Sequence, residues 1–537
     1  MNTVDYTSIK ECILDGNATL GIELGSTRIK TVLIDKNHQT IATGNADWEN
    51  KLKDRIWTYD LDDIWNGLAS SYLDMSKQVQ KTYGITLTTV RAIGISAMMH
   101  GYMAFDKNNQ LLVPFRTWRN TNTGPAASAL TELFRYNIPQ RWSIAHLYQS
   151  ILNNESHVAS LAYITTLSGY IHMCLTGQRV LGIGDASGMF PIDISAKDFN
   201  KTMISQFNDL VADKNYPWKL EEILPTVLCA GEYAGVLSEK GAAMLDPSGH
   251  LTPGIPLCPP EGDAGTGMVA TNSVTPKTGN VSAGTSVFAM IVLEHDLKSL
   301  HTEIDMVTTP SGDLVAMAHA NNCTSDINAW VRLFKEFADL AGYEIDNTTL
   351  YSLLYNLALK GEADCGGLLS YGYYSGENIL PLDEGRPLFI RTPDSHFNLA
   401  NFMRTHLYAA LAALKIGMDI LKNEEHVQVN TVYGHGGFFK TPIVGQRIMA
   451  AAMGAPITVR KTAGEGGAWG IAVLASYLTS KESGESLGDY LSRKVFFNDD
   501  GICMKPLESD IDGFETFIKR FKKGLPIEQT AINQITF

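Results

Sequence analysis

Two short turns place a glycine and two hydroxyl side chains between apolar, extended runs. The first turn is Gly25–Thr27, within the run Gly21–Asp35, and the second is Gly284–Ser286, within Gly279–Glu294. Because glycine has no side chain and tolerates unusual φ values, backbone N–H groups and small hydroxyls of such a turn can approach an anion closely. Either turn alone is most simply a β-hairpin. Two turns at matching points of one chain predict a clamp on a polyphosphate and favour a nucleotide-dependent phosphotransferase.

A carboxylate flanked by glycines supplies the second candidate for chemistry. It is Asp263, within the segment Gly262–Gly265. Phosphoryl transfer to a sugar hydroxyl needs a carboxylate that accepts the proton as the new O–P bond forms. The alternative is that Asp263 merely caps the following helix, since caps are commoner than catalytic bases. An Asp at a domain junction can do both, and we interpret Asp263 as the base.

A histidine follows a short β-branched run that is typical of a buried strand. The run is Val90–Ser96, and Met99–Gly101 comes just after it. Ligands of α/β proteins bind at the carboxyl ends of strands, so this segment is a candidate sugar-contact loop, although a lone His is more often structural. Trp118 and Asn120 could add an aromatic face and polar donors, or form a packed corner at a domain edge.

Two adjacent glycines, Gly436 and Gly437, follow the apolar strand Val427–Val432. Glycines in this position allow a flat base or a ribose to lie against the backbone. The alternative is an ordinary strand-to-helix turn.

Composition narrows the class of protein. The chain has 537 residues, 45% of them hydrophobic and 19% charged, with a net charge of −14. The length predicts two to four domains. The negative charge, without any Lys/Arg-rich run, argues against a nucleic-acid partner. It does not argue against a nucleotide, which backbone donors and magnesium can hold.

The cysteines and the first residues predict a cytoplasmic location. Seven cysteines are dispersed along the chain and form no CxxC pair, which is typical of reduced thiols. The N-terminal residues carry acids and have no apolar stretch, so we expect no signal peptide. We also expect no membrane partner, because no apolar run is long enough to span a bilayer.

The order of the segments predicts two related α/β halves with a cleft between them. We expect an N-terminal extension at 1–18, a first α/β domain at 19–273, a second α/β domain at 274–480 and a helical tail at 481–537.

With these motifs in this order, the chain resembles the FGGY family of carbohydrate kinases, within the hexokinase/Hsp70/actin superfamily. The resemblance extends from about Leu20 to about Thr479. Met-His-Gly and Asp-Ala-Ser-Gly look most like the xylulokinase branch, with ribulokinases as close relatives. The residues that carry the resemblance are Gly21–Asp35, Ile93–Gly101, Leu175–Gly177, Gly184–Gly188, Gly262–Ala264, Ser282–Ser286 and Gly434–Gly437.

The resemblance implies two actin-like (ribonuclease H-like) α/β domains that close over ATP and a sugar in an interdomain cleft. It implies that the domain at 19–273 binds the sugar and carries the catalytic Asp, and that the domain at 274–480 binds the nucleotide. It implies that Asp263 is the catalytic base and that Glu23 and Asp263 hold Mg²⁺. The sugar contacts that we expect are Met99, His100, Gly101, Trp118, Asn120 and Asp263. The nucleotide contacts that we expect are Gly25, Ser26, Thr27, Lys30, Gly284, Thr285, Ser286, Gly436 and Gly437.

Three departures from the family pattern affect the expected contacts. Glu23 stands where the family usually has Asp, Trp118–Asn120 replaces Trp-Asn-Asp, and Arg404–Ala409 replaces an Arg-Ala…Glu-Gly helix. The charge at Glu23 survives with a longer side chain. An acidic sugar contact is missing or replaced.

The function that follows is ATP- and Mg²⁺-dependent phosphorylation of a ketopentose, xylulose or ribulose at O5, in carbohydrate catabolism. The alternatives are a kinase for another ketose, a polyol or a sugar acid, or a non-catalytic nucleotide- or sugar-binding regulator on the same fold. A homodimer would be unsurprising in this family.

Overall fold

The computed structural model describes residues 6–380, 382–460, 466–498 and 501–535. Runs of strands and runs of helices succeed one another along these ranges. The strands are β1 (Thr19–Leu24), β2 (Arg28–Ile34), β3 (Thr40–Asp47), β4 (Lys51–Lys53), β5 (Ile56–Thr58), β6 (Ala92–Ala97), β7 (Met103–Phe105), β8 (Tyr163–Thr165), β9 (Val180–Gly182), β10 (Ile192–Asp193), β11 (Asp198–Phe199), β12 (Thr226–Leu228), β13 (Glu261–Gly262), β14 (Thr278–Ala283), β15 (Val287–Val292), β16 (Ile304–Thr308), β17 (Leu314–Ala320), β18 (Leu369–Tyr371), β19 (Leu388–Ile390), β20 (Thr431–His435), β21 (Ile457–Val459) and β22 (Ile502–Met504).

The helices fill the intervals between the strands. They are α1 (Tyr6–Leu14), α2 (Leu61–Tyr83), α3 (Gly124–Phe134), α4 (Ser143–Leu152), α5 (Leu167–Thr176), α6 (Ile183–Ala186), α7 (Lys201–Leu210), α8 (Leu220–Ile223), α9 (Glu239–Leu245), α10 (Asp263–Thr271), α11 (Ser325–Leu340), α12 (Asn347–Ala358), α13 (Leu399–Asp419), α14 (Val444–Met453), α15 (Gly466–Ser480), α16 (Leu487–Tyr490) and α17 (Glu508–Gln534).

The described residues divide into two compact units. The first unit comprises those within Met1–Thr275, Met306–Val315 and Glu465–Asn498. The second comprises those within Pro276–Asp305, Ala316–Gly464 and Asp499–Phe537.

The first unit is built on a five-stranded sheet in the order β13-β6-β1-β2-β3. Strands β13, β6 and β1 run parallel, and β2 and β3 continue the sheet antiparallel. Every residue of β6 is buried, as expected of a parallel strand that is covered on both faces. The register pairs Ala97 with both Leu24 and Gly262, so the carboxyl ends of three strands meet at one edge.

Two glycines allow helices to pack closely against opposite faces of this sheet. A Cβ on Gly21 would lie 2.1 Å from the carbonyl oxygen of Ala468 on α15, and one on Gly44 would lie 2.0 Å from that of Ser71 on α2. The register places these glycines on alternate faces, since Gly21 pairs with Val32 and Gly44 with the neighbouring Thr31. The sheet is therefore the central layer between α2 and α15.

The second unit repeats this arrangement. Its seven-stranded sheet has the order β16-β17-β15-β14-β20-β21-β22. Strands β14, β20 and β21 are parallel and β15 is antiparallel to β14, which matches the roles of β1, β6, β13 and β2. The two related α/β halves predicted from the duplicated turn are present.

The boundaries of the units differ from those expected from the sequence. Helix α15, expected in the second domain, belongs to the first unit because it packs on β1 and β6. Cys12 and Ile13, expected in an extension, are buried in the first core; residues 1–5 lie outside the described part. The expected tail at 481–537 is divided, because α16 joins the first unit while β22 pairs with β21 of the second.

No helix in the described ranges is long and apolar enough to cross a membrane.

The altered helix at Arg404 has a structural role in the second unit. The Arg404 guanidinium and the Asp510 carboxylate are both almost fully buried, and Arg404 Nη2 donates to Asp510 Oδ1 at 2.6 Å. Arg447 donates to the same carboxylate. The pair joins α13 to α17, so the C-terminal helix is anchored to the core of this unit.

Replacing Asp510 therefore destabilises the second unit. We expect Asp510→Asn to lower the free energy of unfolding by about 3 kcal/mol, because it leaves a buried guanidinium without its counter-charge. Urea denaturation measures this, with Asp512→Asn, an exposed position on the same helix, as the matched control. A loss no larger than that of the control would contradict the assigned role.

Candidate active site

The carboxyl ends of β1, β6 and β13 bring three of the expected segments together in the first unit. The Met98 N–H donates to the carbonyl of Leu24 at 2.9 Å, next to the first glycine turn. The Met99 N–H donates to Asp263 Oδ1 at 3.1 Å. The first turn, the Met99–Gly101 loop and the acid are thus neighbours.

Asp263 is the first residue of α10, and the N-cap position belongs to Gly262. Its side chain is only partly exposed. Burial raises the pKa of Asp263, against the opposing effect of the Met99 and Ala264 N–H groups. A carboxylate held at a helix N-terminus with a raised pKa can accept a proton from a hydroxyl placed against it.

Glu23 reaches a helix N-terminus from the neighbouring strand β1. Its Oε2 accepts a hydrogen bond from the Ala468 N–H at 3.1 Å, one of the α15 donors that lack an intrahelical partner. A Cβ on Gly467 would lie 2.3 Å from Glu23 Oε1. The glutamate is thus long enough to cap α15, and the glycine leaves room for it.

Burial and the charge of Asp263 raise the pKa of Glu23 to about 7, while the Ala468 N–H and Lys30 act in the opposite direction. Lys30 is the cross-strand partner of Glu23 in the β1–β2 hairpin. The lysine is therefore positioned to offset the negative charge of the Glu23 carboxylate.

The pair Glu23 and Asp263 has the donor chemistry that a hard divalent cation requires. Two like charges destabilise each other here, and a cation between them would relieve this. Mg²⁺ commonly takes one or two protein carboxylates and completes its shell with waters and phosphate oxygens. Within the described ranges, no group of three or more His, Cys, Asp or Glu residues could hold a metal ion. A Mg²⁺ site does not require such a group, because two carboxylates are enough.

The expected sugar loop is held in a strained backbone conformation. His100 has φ 71° and Gly101 has φ 93°, and a Cβ on Gly101 would lie 2.6 Å from the Arg116 carbonyl oxygen. The His100 ring stacks on Trp142 with centroids 6.5 Å apart. A Cβ on Gly188 would lie 2.6 Å from His100 Nδ1, so the glycine of Asp-Ala-Ser-Gly makes room for the histidine.

Trp118 and Asn120 differ in what they offer a ligand. Trp118 is 36% exposed. Asn120 is buried, and its amide group pairs with the backbone of Trp57 in both directions, at 2.8 and 2.9 Å. The sequence allowed a packed corner here, and the hydrogen bonds of Asn120 fit that alternative.

The first glycine turn closes the β1–β2 hairpin. The Gly25 N–H donates to the Arg28 carbonyl at 3.0 Å. The side chains of Ser26 and Thr27 are partly or fully exposed. Among the described residues, no group accepts a hydrogen bond from the backbone N–H of Ser26 or Thr27. The turn therefore presents donors to solvent.

The second turn and the adjacent glycines meet in the second unit. Strands β14 and β20 are parallel and pair Ser282 with His435, so Gly284–Ser286 and Gly436 follow neighbouring strand ends. Gly436 has φ 101°, and a Cβ there would lie 2.4 Å from the Ala283 carbonyl oxygen. Cβ atoms on Gly284 and Gly437 would meet nothing within 4 Å, so their faces are open.

The sequence as a whole decides the family. The N-terminal domain of the FGGY family of carbohydrate kinases matches residues 18–269, and its C-terminal domain matches residues 279–479. The chain belongs to the FGGY family of carbohydrate kinases. It is therefore a sugar kinase, and ATP is the phosphate donor in this family.

Relatives and solved structures support the family and its fold. The xylulose kinase of Haemophilus influenzae is 22% identical over 424 residues, covering 75% of this chain and 79% of the relative. The xylulose kinase of Lactococcus lactis is 21% identical over 476 residues, covering 85% and 87%.

Among solved structures, ligand-bound xylulose kinase from Lactobacillus acidophilus superposes with a TM-score of 0.78 at 15% identity, covering 96% of this chain and 99% of that one. Gluconate kinase from the same organism gives 0.77 at 15% identity, covering 95% and 98%. Plasmodium falciparum glycerol kinase with ADP gives 0.72 at 16% identity, covering 97% and 99%. The expected pair of actin-like domains is confirmed.

Sequence reasoning missed two buried acids of this FGGY kinase beside Asp263. Asp185 accepts hydrogen bonds from the hydroxyls of Thr166 and Ser168 at 2.6 and 2.5 Å. Burial raises its pKa to about 7, and the charge of Asp263 adds to this. Glu261 accepts the Asp185 N–H at 2.9 Å, and burial raises its pKa to about 8. Asp185 belongs to the Asp-Ala-Ser-Gly motif, which was the available signal.

These raised pKa values make the ligand-free kinase less stable as the pH rises. Carboxyls with ordinary pKa values near 4 in the unfolded chain stay protonated to about pH 7 or 8 in the folded one, so the folded state binds more protons in between. Hence we expect each of these carboxyls to lower the free energy of unfolding by about 2 kcal/mol or more from about pH 5.5 to about pH 8. Denaturation at the two pH values measures this.

The matched comparison for this pH dependence is Glu261→Gln. The amide cannot lose a proton, so the variant should show a flatter dependence than the wild type. An unchanged slope in Glu261→Gln would contradict the assignment of a raised pKa to Glu261.

Proposed function

We propose that this kinase transfers the terminal phosphoryl group of ATP to O5 of a ketopentose, xylulose or ribulose, in carbohydrate catabolism. The observation that carries the proposal is the position of Asp263. This partly exposed carboxylate lies at the carboxyl edge of the first sheet and is tied to the Met99 N–H of the adjacent loop.

In this proposal Asp263 accepts the proton of the attacking hydroxyl. An alcohol does not ionise beforehand at neutral pH, so the base must be in place when the O–P bond forms. The fixed N–H of Met99 holds Oδ1 and orients the carboxylate. Met99, His100, Gly101 and Trp118 would contact the sugar, and the closely packed backbone of the loop would fix its orientation.

The nucleotide would be held by glycine-rich backbone. We assign its phosphates to Gly25–Thr27 and Gly284–Ser286, with Lys30 near the former, and its adenosine to Gly436 and Gly437. Exposed N–H groups at such turns suit an anion.

Glu23 and Asp263 would hold Mg²⁺, which neutralises phosphate charge during transfer. Their like charges and carboxylate chemistry support this assignment. The contact of Glu23 with the N–H of Ala468 fixes one of its oxygens, so the orientation of the side chain does not depend on the cation.

Xylulose is favoured because the relatives that match most of the chain carry that name. A sugar acid is the second candidate, because the gluconate kinase structure superposes almost as well as the xylulose kinase structure. We also propose a cytoplasmic location and a homodimer, on the same family grounds.

The test is ADP release with MgATP against D- and L-ketopentoses, hexuloses, polyols and gluconate. One ketopentose should stimulate turnover well above the background without sugar. We expect Asp263→Asn to lower kcat with that sugar by about a hundredfold or more, since general base catalysis contributes on that order, while the affinity for ATP measured without Mg²⁺ changes little.

The matched control is Asp62→Asn, an exposed position in the first turn of α2, which should retain wild-type turnover. If gluconate or a polyol were the best substrate, the ketopentose assignment would be wrong. If Asp263→Asn kept near-normal turnover, the base would have been misidentified.

A further inference from the structure

We propose that Trp48 and Tyr59 are positioning residues for the turn Gly25–Thr27, fixing its backbone N–H groups toward the nucleotide phosphates. This inference rests on the proposed function, which assigns the turn to phosphate.

The two aromatic residues bind all three carbonyl groups of the turn. The indole Nε1–H of Trp48 donates to the Gly25 carbonyl at 2.6 Å, and its backbone N–H donates to the Thr27 carbonyl at 3.2 Å. The Tyr59 hydroxyl donates to the Ser26 carbonyl, between them, at 2.6 Å.

Holding these carbonyls also orients the neighbouring N–H groups. A peptide unit is planar and trans, so the C=O of one residue and the N–H of the next point in opposite directions. Fixing the Gly25 and Ser26 carbonyls therefore fixes the N–H groups of Ser26 and Thr27. These are the two donors for which no partner is present in the described part of the chain.

The aromatic pair is itself stacked and buried in the core. The rings of Trp48 and Tyr59 stack with centroids 4.1 Å apart and an interplanar angle of 24°, and both residues are more than 90% buried. Phe115 backs Tyr59 at 6.4 Å. The Phe115 ring also lies against the expected sugar loop, since a Cβ on Gly101 would lie 2.9 Å from it. The same stack thus supports the turn and the expected sugar loop.

The second turn is anchored in the same way by different groups. The Cys323 N–H donates to the Thr285 carbonyl at 2.8 Å, and the N–H and hydroxyl of Thr324 donate to the Gly284 carbonyl. Anchored carbonyls are therefore common to both turns, although only the first uses large side chains. A merely structural aromatic pair would not need to bind every carbonyl of a solvent-facing turn.

The test is Tyr59→Phe, which removes one hydroxyl and keeps the ring. We expect the KM for MgATP to rise about fivefold, because the donor of the Ser26 carbonyl is lost. The KM for the sugar and the Ki of adenosine, which has no phosphate, should change less than twofold. Tyr83→Phe is the matched control, since that hydroxyl donates to the Ile41 carbonyl in the same core.

Ser26→Glu, compared with Ser26→Gln, tests the phosphate assignment separately. A carboxylate at the turn should weaken ATP binding far more than the amide does. If Ser26→Glu does so while Tyr59→Phe behaves like Tyr83→Phe, the positioning role is wrong and the phosphate site stands. If Ser26→Glu and Ser26→Gln bind ATP equally well, the phosphate assignment fails and the inference fails with it.

A general loss also contradicts the inference. If Tyr59→Phe raised the KM for sugar, the Ki of adenosine and the KM for MgATP together, with a lowered Tm, Tyr59 would be a structural residue only.

Discussion

The parallel pairing of β1, β6 and β13 is the constraint on which the candidate site depends. Ala97 lies on β6, the middle one of these three strands, and is in register with Leu24 of β1 on one side and Gly262 of β13 on the other. Consequently the segments that follow these strands emerge at one edge of the sheet, whatever their separation in sequence. Asp263, the Met99–Gly101 loop and the first glycine turn become neighbours for this reason.

Burying acids at this edge has an electrostatic cost that the fold offsets with fixed donors. Glu23 receives the N–H of Ala468, Asp185 receives two hydroxyls, and Glu261 receives the N–H groups of Gly184 and Asp185. These bonds lower the pKa values only in part, and burial still dominates. A carboxylate in such surroundings is a better base than one in water.

Sequence patterns predicted the family and the paired halves, because the glycine turns and the strands around them are local features of the chain. They did not predict the Asp185–Glu261 contact, which joins residues 76 positions apart. The sequence also did not predict which sheet α15 covers, because nothing in the sequence of a helix rich in small residues indicates the sheet against which it packs. Asn120 shows that residue type alone does not reveal the partners of a side chain. Its amide group suggested a ligand contact, but it forms hydrogen bonds with the backbone of Trp57.

The most direct test of Asp263 as the base is the pH dependence of kcat/KM for the preferred sugar. We expect the wild type to lose activity on acidification with an apparent pKa above the ordinary range of an aspartate, as the raised pKa of Asp263 requires. The residual activity of Asp263→Asn should not show this loss on acidification. An acidic limb with the same apparent pKa in both proteins would contradict the account, because another group would then be titrating.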